Sequence, residues 1–432
     1  MIASSMSRRE TLGAISALSL AHLSCGSSQT KSQSIEAFLG DMALTKALVD
    51  QFLDPDQPNW AMFDPELGYR HHDAVMKDGI DGSYAIYTME STGERKRVHY
   101  ANRPCRLNTY GNSFTHCDQV SDPETWQEYL AAHFAEPVRN YGSGGYGVYQ
   151  AYRRMLREEA TPQAASHMIL NIWIDDHRRS LMASRWFHLK GFRDRINRNG
   201  DKYFHTNPWC HVRLDPQTGE LQEYDNQHNT PESLYRLCDK DYLIETFRDD
   251  LFAHIQLVME GGQSDKMEEM RQLSNLLELD LDWQTTESAA ISAEKLFWRC
   301  GMKTSEHIVK KAQAFADKAG KKLLFLLSYR SSDIINACKG RPRLDQYFVD
   351  FLNREQVPYV DGMQKHVDDF AAFSIPPDQY VKRYWHGHYG PAGNLFFAFA
   401  IKNELLDWLD PKPVTYGAEE PSVVDIAATL AE

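Results

Sequence analysis

The chain is short of the features that would place it in several large classes. Its seven cysteines (25, 105, 117, 210, 238, 300 and 338) form no Cys-x-x-Cys pair, which excludes a zinc ribbon and a thioredoxin-type redox motif. Seven in 432 residues are also too dilute for a disulfide scaffold. Positive charge is in deficit: 47 Lys and Arg against 60 Asp and Glu leave a formal charge of −13, which opposes general binding to nucleic acid or to an anionic membrane. The 25 glycines and 18 prolines are scattered, so a fibrous or low-complexity protein is excluded. No internal repeat is present, and no apolar run is long enough for a transmembrane span. What remains is an ordinary globular composition, 42% hydrophobic and 25% charged, long enough for two or three domains or for one large α/β domain with insertions.

The first 28 residues read as a leader. Ser7-Arg8-Arg9-Glu10-Thr11-Leu12 precedes a short apolar run to Leu23 and then Cys25-Gly26-Ser27-Ser28. A twin arginine ahead of a weakly apolar run fits the Tat export route and predicts a periplasmic or extracellular protein. Met6, immediately before the motif, is a candidate initiator. Cleavage near Gly26 or Ser28 and lipidation at Cys25 both stay open, with His22 standing where a lipobox has an aliphatic residue.

The segment 29–104 reads as an N-terminal extension. Apolar spacing predicts one amphipathic helix over 35–54, and two strands, Tyr84–Thr88 and Lys96–Tyr100, predict a hairpin around Thr92-Gly93. From 105 to 412 the order is that of one α/β domain: strand 106–110, a helix opening at Asp122-Pro123, strand 137–140, helix 149–159 and the apolar strand 168–174. The rhythm resumes with helix 305–319, strand 322–327, helix 344–353, strand 357–360 and helix 394–409. Such alternation predicts a parallel sheet flanked by helices, with chemistry at the carboxyl ends of its strands. Between them, about 185–300, lies an insertion with a hairpin near Asp215–Gly219 and a helix opening at Thr230-Pro231; residues 413–432 form a tail.

Four segments carry chemistry. Tyr110-Gly111-Asn112-Ser113 presents a serine hydroxyl just past a strand. Gly142-Ser-Gly144-Gly145-Tyr-Gly147 matches G-x-G-x-x-G, but a dinucleotide site needs an acidic residue about 20 positions on, and the next strand ends too late, at Asp175-Asp176. Asp175-Asp176-His177 follows the most apolar strand. Trp385-His386-Gly387-His388 precedes Pro391 and Gly393-Asn394.

Taken together, these segments resemble the four blocks of the SGNH (GDSL-type) hydrolases, in order and in strand context, across 105–408. The likeness is to an exported bacterial subgroup without an assigned substrate. It implies a three-layer sandwich around a central parallel sheet, of SGNH-hydrolase or flavodoxin-like type. It also implies Ser113 as nucleophile, His388 as general base, and an oxyanion hole at Ser113, Gly145 and the position of Asp175, with Asn112, Asp176 and His386 in support. No cofactor or metal is implied.

Three departures are visible. Asn112 replaces the usual aspartate. Asp175 replaces the oxyanion-hole asparagine, which leaves Asn171 or His177 as substitute donors. Trp385 stands where the family has the aspartate that orients the histidine, so Asp361, Asp378 or a backbone carbonyl is expected to orient His388. The activity expected is hydrolysis or transfer of an acyl group on a small-molecule or glycan ester, an acetylated carbohydrate among them. Two other readings stay open: an inactive SGNH fold that binds glycan or an envelope component, and a metal-dependent hydrolase using His386, His388, Asp175 and Asp176. A Cys105–Cys117 disulfide bracketing Ser113 stands beside the alternative of buried free thiols.

Overall fold

A computed structural model describes residues 33–56, 60–184 and 208–416. The expected leader with Cys25, and most of the tail 413–432, lie outside the described residues.

The alternation resolves into one five-stranded parallel sheet. Strand β1 (Leu107–Gly111) turns into a short helix α1 (Ser113–His116), followed by α2 (Trp126–Phe134). Strand β2 (Arg139–Gly142) leads to α3 (Val148–Glu158), and β3 (His167–Trp173) to α4 (Asp176–Arg179). Helix α5 (Thr286–Ala319) feeds β4 (Lys322–Ser328), followed by α6 (Ser331–Cys338) and α7 (Gln346–Arg354). Strand β5 (Tyr359–Asp361) passes into α8 (Gly362–Phe370), and α9 (Pro391–Trp408) closes the unit. The strand order is β2-β1-β3-β4-β5, parallel throughout. The chain therefore winds to one side after β1 and to the other from β3 on, which opens a crevice at the carboxyl ends of β1 and β3.

The two-residue period of a strand divides its side chains between two cores. On β4, Leu324 and Leu326 join Leu107, Ile169 and Val360 beneath α2 and α9. Leu323, Phe325 and Leu327 join Met168, Leu170 and Ile172 beneath α3, α5 and α7. With apolar side chains on both faces, these strands read as continuous hydrophobic runs.

Four expectations differ in detail. The helix over 35–54 is two helices, Ile35–Gly40 and Lys46–Leu53, because Thr45 accepts a hydrogen bond from the Leu48 N–H and caps a new start. The expected 84–100 hairpin forms only next to its turn: the Lys96 N–H donates to the Thr88 carbonyl at 2.8 Å and Met89 pairs with Arg95 around Thr92-Gly93, while Ala85–Tyr87 pairs with Ala74–Met76 and Arg95 also bridges to Asn140 at the edge of β2. Asp122–Glu124 is a single 3-10 turn, and α2 starts afresh behind the Thr125 cap. The helix expected from 305 begins at Thr286 and runs unbroken through residue 300, behind a Thr285–Ser288 capping box. In the insertion the expected hairpin is present, with strands His211–Leu214 and Leu221–Tyr224, and its helical part packs onto the α3/α5 side. Cys105 and Cys117 are free thiols. Among the described residues no helix is long and apolar enough to cross a membrane.

Candidate active site

At the end of β1 the chain must turn at once from strand to helix. Gly111 does this with φ +153°, and a Cβ there would lie 2.2 Å from Thr115 Oγ1 and 2.6 Å from the Asn171 carbonyl oxygen. Asn112 caps α1, its Oδ1 accepting from the Phe114 N–H at 2.8 Å. Ser113 is thereby placed at the crevice floor as the first helical residue.

His388 comes from the other end of the chain, on a tight hairpin in which Trp385–His386 pairs with His388–Tyr389 around Gly387. Its Nε2 lies 2.9 Å from Ser113 Oγ. The ring packs against Phe114, centroids 5.1 Å apart, and Phe114 stacks on Trp173 at 5.3 Å. Serine and histidine expected from the sequence are therefore in hydrogen-bond contact.

The group that orients His388 was not legible beforehand. Gln119 Oε1 accepts from the His388 backbone N–H at 2.7 Å and lies 3.1 Å from His388 Nδ1, while its Nε2 donates to the Asp78 carbonyl at 3.1 Å. A backbone N–H only donates and a carbonyl only accepts, so the amide has one permitted orientation. Its oxygen therefore faces Nδ1, which must carry the proton, and Nε2 presents its lone pair to Ser113. Gly387 makes room for this contact: at φ +88°, a Cβ would lie 2.5 Å from Gln119 Oε1. The two carboxylates expected in this role are elsewhere. Asp361 pairs with Arg343 at 2.6 Å, and Asp378 sits 4.0 Å from Lys382 on the surface.

Asp175 lies against Arg178 and, at 3.2 Å, Arg179, so its carboxylate faces guanidinium charge. Asp176 is buried and accepts from Asn112 Nδ2 at 2.7 Å, from Arg179 at 2.9 Å and from the Trp173 N–H at 2.9 Å. Burial nevertheless raises its pKa to about 7, over the opposing pull of Arg179 and these hydrogen bonds. Asn112 thus joins the serine turn to the β3 end. Neither substitute donor stands at the serine: Asn171 Oδ1 accepts from Ser328, and His177 contacts Ser305 and Phe348. Two backbone donors remain, the N–H groups of Ser113 and Gly145, neither of which meets an acceptor among the described residues. His386 pairs with His388 across its hairpin, and its side chain makes no hydrogen bond or ion pair to another described residue.

Of the four residues weighed for a metal, His388, Asp175 and Asp176 are thus engaged with Ser113, Asn112 and arginines. Ligand atoms within 4.8 Å of one another occur instead, among the described residues, at His71, His116 and Asp118. A cavity of about 310 Å³ lies in the insertion between Trp209, His211, Arg213 and Asp250, and its lining includes none of the residues singled out here. No family model matches the chain, and no curated protein is similar to it.

Proposed function

We propose that the protein is a serine hydrolase of SGNH type that cleaves or transfers the acyl group of an ester. The observation that carries this reading is the 2.9 Å contact between Ser113 Oγ and the unprotonated Nε2 of a histidine whose Nδ1 proton is held by Gln119. A serine hydroxyl is a weak nucleophile until a positioned base removes its proton. In the proposed reaction Oγ attacks the ester carbon and its proton passes to His388 Nε2. The oxyanion is held by the Ser113 and Gly145 N–H groups, and the alkoxide departs with the proton from Nε2. Water then repeats the sequence on the acyl-serine. A sugar hydroxyl in place of water makes the same residues a transferase, and an acetylated carbohydrate is the substrate class proposed.

Gln119 stands where a carboxylate is usual, so the imidazolium formed in the reaction receives a dipole from this residue in place of a full charge. The arginine-bound Asp175 keeps uncompensated negative charge away from the oxyanion. Hydrolysis of p-nitrophenyl acetate by the mature chain tests the reading. Ser113→Ala and His388→Ala are each expected to lower kcat by about 10³-fold or more. Equal rates in all three proteins would overturn it and favour the inactive, glycan-binding alternative.

A further inference from the structure

We infer that the strand Gly68–His71, part of the N-terminal extension and outside the five-stranded sheet, sets the glycine loop that supplies the Gly145 N–H, with Tyr69 and His71 as positioning residues. This rests on the hydrolase reading above. The loop after β2 runs Gly142-Ser143-Gly144-Gly145, and three glycines in four residues leave its peptide planes little intrinsic preference. Something outside the loop must hold them.

Two groups do. His71 Nε2 accepts from the Gly144 N–H at 2.8 Å, and Tyr69 donates its hydroxyl proton to the Gly144 carbonyl. That carbonyl belongs to the same planar trans peptide as the Gly145 N–H, so gripping the oxygen from one side aims the N–H to the other. The hold is reciprocal. Tyr146 donates its hydroxyl proton to the Tyr69 carbonyl, and Gln150 Nε2 donates to the Leu67 carbonyl at 2.9 Å. Tyr69 is fully buried and His71 is 5% exposed, so these bonds are shielded from competing water.

For His71 to accept, Nε2 must be unprotonated. Burial, with His116, Arg154 and Arg95 nearby, holds its pKa well below the usual histidine value against the single opposing pull of Asp118. Its neighbour His116, ring centroids 3.9 Å away, is held neutral in the same way and lies 2.7 Å, through Nδ1, from Asp118. This is the trio with metal-ligand spacing. Imidazole Nε2 has one lone pair, however, and at His71 it is engaged with the Gly144 N–H; a cation there would have to release the loop.

The test uses the full mature chain carrying Tyr69→Phe, His71→Ala or His71→Gln, assayed for ester hydrolysis and for amide hydrogen exchange over residues 142–147. Tyr69→Phe and His71→Ala are expected to lower kcat by about 10- to 100-fold, with KM changed less than about threefold. His71→Gln, which restores an acceptor at the same reach, is expected to recover most of the loss. Exchange in the loop is expected to rise in the first two variants, a readout that does not depend on turnover. Wild-type kcat in folded Tyr69→Phe and His71→Ala would overturn the inference, as would unchanged loop exchange. Stoichiometric zinc in the purified chain, lost in His71→Ala, would also overturn it. An inactive wild-type chain whose loop exchange still rises in the variants would sink the hydrolase reading and leave the clamp standing.

Discussion

The tautomer and plane of His388 are held by a glutamine 269 residues earlier in the chain, which is the condition a histidine must meet to serve as the proposed general base. Ser113 and His388 are readable from the sequence because a Gly-x-Ser turn just past a strand, and a histidine ahead of Pro391, are local patterns. Gln119 has no such pattern. It follows Cys117 and Asp118 in an irregular loop, at φ +75°, and reaches His388 only because that loop meets the Gly387 turn. Asn112 has a clearer logic once the fold is known. An aspartate there would put a second carboxylate about where Nδ2 now meets Asp176 Oδ1 at 2.7 Å. Gln119→Leu removes the acceptor for both His388 N–H groups, and kcat is expected to fall about 10- to 100-fold with KM little changed. Undiminished kcat in the purified variant would show that another group holds the ring.

At the scale of elements, the β-α-β order was legible because buried parallel strands are continuous apolar runs, and 168–174 and 322–327 could hardly be anything else. The pairing of short, half-buried strands was not. Residues 84–100 carry turn chemistry that suits a hairpin, and the pairs nearest the turn form, but Ala85–Tyr87 pairs elsewhere and Arg95 also takes the chain to the β2 edge. The Arg95 N–H donates to the Asn140 carbonyl at 2.8 Å, and its buried guanidinium pairs with Asp122 at 2.9 Å. The same guanidinium donates to the carbonyls of His116, Cys117 and Val120, the loop that carries Gln119. So the extension, which reads as an appendage, contacts both flanks of the candidate site: Arg95 beside the loop that holds His388, and Tyr69 with His71 beside the glycine loop proposed to hold the oxyanion. Arg95→Met removes the cation that pairs with buried Asp122, leaving it the Thr88 N–H, and takes a donor from the carbonyls of Ile86, His116, Cys117 and Val120. A loss of about 3–5 kcal/mol in denaturant unfolding is expected, and a change within about 0.5 kcal/mol would contradict this account of the loop.

Across the whole molecule, the described residues include seven buried histidines whose pKa values are held down by burial: 71, 116, 167, 177, 211, 228 and 366. Unfolding frees each of them to take a proton near pH 6.5. Their contribution is therefore complete above that pH and is lost as pH falls, through about 4 for His167, His177 and His228 and about 3 for His366. Asp176 acts in the opposite sense. With its pKa raised to about 7, the fold holds a proton that the unfolded chain releases near 3.8, so its contribution falls as pH rises between those values. Asp78, raised by burial to about 6, and Glu128, also raised by burial, act in the same sense as Asp176. Seven groups outweigh these three, and stability is expected to drop by several kcal/mol between pH 6.5 and about 4.5, each histidine contributing at most about 1.4 kcal/mol per pH unit. A melting temperature that is flat or rising over that range would contradict it. The central claim, that Ser113 is a nucleophile activated by His388, is tested most directly by intact-mass analysis after exposure to a fluorophosphonate. The account predicts one phosphonyl adduct per wild-type chain, located on Ser113, with no adduct in Ser113→Ala and strongly slowed labelling in His388→Ala. An unmodified wild-type chain, or an adduct that persists in Ser113→Ala, would contradict it.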